Sequence, residues 1–374
     1  MVKRILCAVC ALFVGLSCRA PIFAAPTEEA ATPPSVSAKS AVLIEASTLE
    51  ILYEKNAHLP MGMASTTKIM TAMVALEEAD PDTVITVPKE AVGVEGSSVY
   101  LTEGEQLTLR DLLYALLLSS ANDAATAIAI AIGGSEEAFC ARMNERAREL
   151  GLQSTRFQNP HGLYDEEHYT TAYELARITA QALSIPLFSE IVSTDKKRIP
   201  HDGIPDVRLL CNHNKLLRTY EGAIGVKTGY TKKTGRTLVS AAERDGMTLI
   251  AVTLDAPDDW RDHRALLDHG FSAYEALVYA EAGALRIPFP VVGGEREQVY
   301  LTNERALTLI LPKGHSAPRI RVEAVGRFLY APIARGMCVG TLTVLSDGGS
   351  VTTALCTTEA TVAKKRDFRS ILGP

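Results

Sequence analysis

The chain has 374 residues, 47% of them hydrophobic and 22% charged, with a formal net charge of −6 at pH 7. That length and apolar content allow a large core and two domains, and exclude a disordered polymer. The acidic balance argues against a nucleic-acid partner, because neutralising phosphates requires a basic face.

Lys3 and Arg4 precede an apolar stretch at 5–16, and the small residues Ala20, Ala24 and Ala25 follow. This is the layout of a secretory signal, cut between Ala20 and Ala25 and too short for a membrane span; a retained N-terminal anchor is the alternative. Residues 1–25 are therefore read as a signal peptide, and the mature chain as exported to the cell wall, the outer face of the cytoplasmic membrane or the medium. Removal of Cys7, Cys10 and Cys18 leaves Cys140, Cys211, Cys338 and Cys356. Beyond the signal segment no Cys-x-x-Cys or His-Glu-x-x-His occurs, so neither a metal nor another cofactor is expected. Residues 26–40, rich in Ala, Glu, Pro and Ser, read as a mobile linker.

Apolar runs at 41–45 and 51–53 around a polar turn predict a strand pair. Helical patterns follow at 66–78, 109–130, 135–150 and 172–183. Ser135 caps the third, which shows Ala138 and Phe139 on its apolar face, and a turn lies at Asn159-Pro160-His161-Gly162. Strands are predicted at 225–228, 237–241 and 248–253, the last two joined through Arg244-Asp245-Gly246. Asp258 or Asp259 then caps a helix through His263 to Tyr274. Beyond residue 284 short strands such as 319–322 and 340–344 alternate with Gly and Pro. Helices inserted between an early hairpin and late antiparallel strands imply an α/β (α+β) fold rather than a parallel doubly wound sheet. The domain reading is 41–275 catalytic, 285–362 a small all-β sandwich and 363–374 a short basic tail. If Asp347-Gly348-Gly349 forms the final turn, Cys338 and Cys356 lie nearly opposite each other. A disulfide and two free thiols both fit that placement.

Three short segments carry chemistry. Ser65-Thr66-Thr67-Lys68 places a hydroxyl and an amine on one face of an opening helical turn. The helix dipole there disfavours a positive charge and pushes the amine toward its neutral, basic form. A neutral amine is what a nucleophilic serine without a histidine partner needs. Ser120-Ala121-Asn122 ends an apolar run, and Lys227-Thr228-Gly229 precedes Tyr230. Each triplet alone reads as well as a capped turn or a strand end. Ser-x-x-Lys, Ser-x-Asn and Lys-Thr-Gly in that order form a far more specific set.

Over residues 41–271, and more loosely beyond, the chain resembles the D-alanyl-D-alanine carboxypeptidases. These are low-molecular-mass penicillin-binding proteins of the β-lactamase/transpeptidase-like superfamily. The resemblance implies a serine peptidase that removes the terminal D-alanine of peptidoglycan stem pentapeptides through an ester on Ser65, with β-lactam antibiotics as covalent inhibitors. It implies Lys68 as base, the Ser65 and Tyr230 backbone N–H groups as oxyanion donors, and Ser120 as proton donor to the leaving amine. Asn122 would orient Lys68 and substrate. Lys227 and Thr228 would hold the terminal carboxylate, and Gly229 would leave room along the strand.

Two departures stand out. Where some relatives place an arginine between two asparagines, this chain has Asn212-His213-Asn214, so His213 joins the substrate-binding candidates and carboxylate recognition shifts toward Lys227 and Thr228. The basic end from Lys364 is too short for an interfacial helix, which leaves peripheral membrane contact open. A D,D-endopeptidase uses the same machinery and is the nearest rival. A class A β-lactamase lacks support, since Ala121 stands where an aspartate is wanted and no Glu-x-x-Leu-Asn segment occurs. A non-catalytic penicillin-binding module would not need Ser65 and Lys68.

Overall fold

The computed structural model describes residues 32–201, 207–315, 318–324, 326–346, 349–357 and 362–363, which belong to one compact unit. The expected signal segment, the turn at Asp347-Gly348 and the basic tail from Lys364 lie outside the described residues.

The first half comprises β1 (Ser40–Glu45), β2 (Ile51–Lys55), α1 (Lys68–Glu78), β3 (Val84–Thr86), β4 (Gln106–Thr108), α2 (Leu109–Leu118), α3 (Asn122–Gly133), α4 (Glu136–Glu149) and α5 (Ala172–Leu183). Next come α6 (Pro186–Ser193), β5 (Lys196–Pro200), β6 (Val207–Cys211), α7 (Leu216–Thr219), β7 (Ala223–Thr231), β8 (Gly235–Arg244), β9 (Met247–Leu254) and α8 (Asp259–Ala273). The remaining strands are β10 (Tyr274–Ala280), β11 (Ile287–Val292), β12 (Gln298–Asn303), β13 (Leu307–Pro312), β14 (Arg319–Ala324), β15 (Leu329–Tyr330), β16 (Cys338–Ser346) and β17 (Gly349–Thr357).

An antiparallel sheet in the order β2-β1-β9-β8-β7 lies between helical layers. Val42 and Ile44 of β1 face the cluster containing α1 to α6, whereas Ala41 and Leu43 face the one containing α8. Burial on both faces explains why β1 reads as an unbroken apolar run rather than an alternating one. Strand β7 is an edge, so its outer side is available to a ligand. The segment before β1, expected as mobile linker, is tied down where it is described. Val36 is buried, and the Asp262 carboxylate accepts from Ser37 N–H (2.9 Å), Ser37 Oγ (2.7 Å) and Ala38 N–H (3.0 Å).

Helix α1 is buried from Lys68 to Ala75 and packs against α2, α3, α4 and α5. A helix apolar all round its circumference belongs at the centre of a core. The predicted helix over 109–130 is two helices, α2 and α3, broken at Ser119–Ala121 with Ser120 at φ 60°. Apolar residues resume at 124–130 beyond the polar Ser119-Ser120-Ala121-Asn122-Asp123, which is why one helix was read across the break. The third helix is capped as expected, Ser135 Oγ accepting from Ala138 N–H at 3.1 Å. Ala138 itself is exposed; Phe139, Cys140 and Met143 form the buried face. The last helix starts after Asp258 and gives way to β10 at Tyr274.

The C-terminal strands form a six-stranded sheet, β14-β16-β17-β12-β11-β15, around their own apolar cluster, with β10 and β13 pairing alongside. Ile310 of β13 belongs to the cluster that contains α8 and so joins this region to the first. Cys338 and Cys356 are direct partners across β16 and β17. Thr357 N–H donates to Met337 O (3.1 Å), which makes them a non-hydrogen-bonded pair, the closer of the two antiparallel spacings. Both carry free thiols. Among the described residues no single helix is long and apolar enough to cross a membrane.

Candidate active site

Ser65 sits in a 3-10 turn, Ala64–Thr67, that leads directly into α1. Ala64 has φ 48°, a left-handed conformation costly for a residue with a Cβ. Three hydroxyl and imidazole contacts hold it. Thr66 Oγ1 donates to Met63 O (2.6 Å), and Thr67 Oγ1 donates to Ala64 O (2.7 Å). His168 Nδ1 accepts from Gln158 N–H (3.0 Å), which assigns the ring proton to Nε2, 2.7 Å from Thr67 Oγ1. Burial pushes the His168 pKa down to about 4, so the ring is neutral at pH 7.

Lys68 is fully buried; its amine donates to Asn122 Oδ1 (2.7 Å) and His161 O (2.5 Å) and lies 3.1 Å from Ser65 Oγ, whose hydroxyl can donate to the amine lone pair. Burial, then the nearby charge of Lys227, holds its pKa well below the usual lysine value, against a smaller opposing pull from Asp123. Desolvation and a neighbouring cation therefore do what the sequence assigned to the helix dipole. The result is an amine shifted toward its uncharged form within hydrogen-bond reach of a partly exposed hydroxyl, an arrangement suited to activating that hydroxyl.

The break between α2 and α3 brings the second motif to this point. Ser120 lines the cleft and Asn122 opens α3. The Asn122 amide bridges: Oδ1 accepts from Lys68, and Nδ2 donates to Glu95 O at 2.5 Å. Asp123 collects Ser98 Oγ (2.6 Å), Val99 N–H (3.1 Å) and Leu101 N–H (3.1 Å). Arg208 then ties the same loop to β6 through Val99 O (2.8 Å), Tyr100 O (3.0 Å) and the Glu105 carboxylate (2.9 Å). The loop at 95–105 is thus fixed against the motif that it covers.

Lys227, Thr228, Gly229 and Tyr230 lie on the edge strand β7. Lys227 is buried, which pushes its pKa down to about 7, and it donates to Thr228 O at 3.0 Å. A Cβ added to Gly229 would lie 2.9 Å from Ser65 N and 2.4 Å from Thr237 Oγ1, so only glycine lets the strand approach the nucleophile turn this closely. Gly162 cups the same turn from the other side. At φ 91° its added Cβ would stand 1.9 Å from Ala64 O.

A cleft of about 610 Å³ opens over these groups, lined by Ser65, Ser120, His213, Thr228, Gly229 and Tyr230, with Lys68, Asn122 and Lys227 buried around it. His213 is held below the ordinary histidine pKa by partial burial and by Lys227, and so is uncharged at neutral pH. All nine residues singled out in the sequence converge here. Several others were missed: Ser97, Lys215, Arg218, Arg236, Asp259 and Trp260 complete the lining. The carbonyl of His161 and the ring of His168 were missed too. The turn at Asn159-Pro160-His161-Gly162 was visible, but nothing in its spelling says which side chains its carbonyls receive.

Peptidase family S11, described as D-alanyl-D-alanine carboxypeptidase, matches residues 27–258. The D-alanyl-D-alanine carboxypeptidase DacF of Bacillus subtilis is 32% identical over 342 residues, 89% of this chain and 86% of that protein. Penicillin-binding protein 5 of Haemophilus influenzae shares the fold at a TM-score of 0.78 and 29% identity, covering 89% of this chain and 99% of that one. The Streptomyces K15 DD-transpeptidase superposes at a TM-score of 0.62 with 32% identity, covering 64% of this chain and 99% of that one. The serine-lysine pair, the asparagine bridge and the Lys-Thr-Gly edge strand accord with these likenesses, and the chain belongs to the D-alanyl-D-alanine carboxypeptidase family of peptidases.

Proposed function

We propose that Ser65 carries the reaction of this family, removing the terminal D-alanine from peptidoglycan stem pentapeptides outside the cytoplasmic membrane. The observation that supports this most is the Lys68 amine, depressed in pKa and 3.1 Å from Ser65 Oγ. Lys68 takes the Ser65 proton as the oxygen attacks the penultimate D-alanine carbonyl. The tetrahedral oxyanion receives the backbone N–H groups of Ser65 and Tyr230, donors worth on the order of a hundredfold or more in rate. The C–N bond breaks, Ser120 relays a proton to the leaving D-alanine amine, and an ester remains on Ser65. Water then attacks the ester with Lys68 again as base, releasing the shortened peptide and restoring the serine. A β-lactam ring opens onto the same oxygen.

The reading includes residues 1–25 as an export signal, 41–275 as the catalytic domain and 285–362 as a separate β-rich domain. Two assays on the mature protein test the site. A labelled penicillin should mark the wild type and not Ser65→Ala, and the wild type should release free D-alanine from a pentapeptide ending in D-Ala-D-Ala. A folded wild type that stays unlabelled refutes the acyl-enzyme. Labelling without D-alanine release, together with cleavage of cross-linked dimers, reassigns the protein as an endopeptidase.

A further inference from the structure

Arg236 was not among the residues read from the sequence, yet it stands in the cleft beside Thr228 and Tyr230. It pairs directly with Tyr230 across β8 and β7. Cross-strand partners point to one face, and Thr228, two residues before Tyr230, shares it. A long side chain reaches its diagonal neighbour at that spacing, so the guanidinium lies within range of a ligand bound at Thr228. The residue is also held in place. Its Nη2 pairs with Asp259 Oδ2 at 3.0 Å, and Asp259, 4% exposed at its side chain, accepts from Trp260 N–H through Oδ1 at 2.9 Å. That pairing engages one nitrogen of a fork with five donors and leaves the rest for a second carboxylate. The Arg236 side chain is 44% exposed, so the cleft has access to it.

The other cations of the cleft are less suited. Arg218 pairs with Asp195, and Lys215 lies over the Trp260 ring at 5.7 Å. His213, at the place where some relatives carry an arginine, is neutral at pH 7. From this arrangement we infer that Arg236, oriented by Asp259, is the residue that receives the terminal carboxylate of the substrate, together with Thr228. The inference rests on the cleft being the D,D-peptidase site. Recognition that some relatives assist with an arginine on the loop before β7 is here assisted from the neighbouring strand, with a permanently charged, bidentate donor.

The test compares a free carboxylate with a blocked one. Second-order acylation rates are measured with benzylpenicillin and with its methyl ester, for the wild type, Arg236→Ala and Arg236→Lys. The acid-to-ester rate ratio should fall roughly ten- to a hundredfold in Arg236→Ala, as expected for a lost charge-assisted hydrogen bond. Arg236→Lys should recover part of it, and for a D-Ala-D-Ala peptide the loss should appear in KM more than in kcat. An unaltered ratio in Arg236→Ala overturns the assignment, and so does an equal loss with acid and ester. A wild type inert to both penicillin and peptide overturns the reading of the cleft itself. A reactive wild type whose Arg236→Ala variant keeps its ratio overturns this inference alone.

Discussion

Asn122→Asp would place a carboxylate where an amide oxygen now accepts from Lys68 Nζ at 2.7 Å. The change is nearly isosteric, so the cleft keeps its shape while the electrostatics reverse. At a separation near 3 Å and an effective dielectric constant of about 20, Coulomb's law gives about 5.5 kcal/mol in favour of a charged Lys68. That corresponds to about four pK units. The new carboxylate also faces Glu95 O in place of the Nδ2 donor that bonds it now. Relaxing to about 4 Å from the amine lowers the effect to about 4 kcal/mol, or about three units. Lys68 must be neutral to act as base, so activity falls on the acid side of its pKa, and the acid limb should move toward alkaline pH by about three units. At a pH on that limb, penicillin acylation should drop by about a thousandfold and recover tenfold per pH unit on raising pH. The assay is the acylation rate across pH 5 to 10 (roughly the range spanning histidine to lysine titration) for wild type and variant. A loss independent of pH, or an acid limb that does not move, would refute the neutral-lysine base.

Gly229→Ala should cost on the order of a hundredfold in acylation, because its Cβ would stand 2.9 Å from the Ser65 backbone N. Thermal melts should show the fold intact, and near-wild-type acylation would mean that the strand does not need this close approach. His161, His168 and His263 are buried with pKa values pushed down to about 3, 4 and 3. An unfolded histidine titrates near 6.5, so unfolding takes up protons below that value. Stability is then full above about pH 6.5 and falls with acidification toward about pH 3, by on the order of 3 to 5 kcal/mol for each ring. Urea midpoints measured from pH 7 to about 4 would test this, and a flat series would contradict it. Oxidised glutathione should join Cys338 to Cys356, two thiols giving up two electrons and two protons to the reagent, since their non-hydrogen-bonded pairing falls in disulfide range. Thiol titration of the denatured protein should then drop by two in the wild type and not in Cys356→Ser; equal counts would exclude the bond.

The parts of the site legible in the sequence were those whose chemistry is local. Ser65 and Lys68 are three residues apart, so one turn of helix brings them together whatever the rest of the chain does. Lys227-Thr228-Gly229 sits on a single strand, where glycine declares a close approach. The break between α2 and α3 was missed, although Ser119, Ser120, Asn122 and Asp123 interrupt the apolar run there, because apolar residues resume at 124–130 and let one helix be read across it. Its cause is tertiary: the loop carrying Glu95 and Ser97 takes up Asn122 through Nδ2 to Glu95 O and Asn122 N–H to Ser97 O (2.7 Å). His168 and Arg236 were hidden for a related reason, as each acts on a residue far from it in the chain.

The amino-acid order alone pointed to the Ser65–Lys68 pair, the antiparallel strands and the central apolar helix, since each is read from spacing within one element. The state of that amine was decided only by folding. The Lys68 pKa is held down because α1 is enclosed by five other helices and because Lys227, arriving on the edge strand, places a second charge nearby. Burial and the approach of distant charges are properties of the packed molecule, and no stretch of sequence contains them.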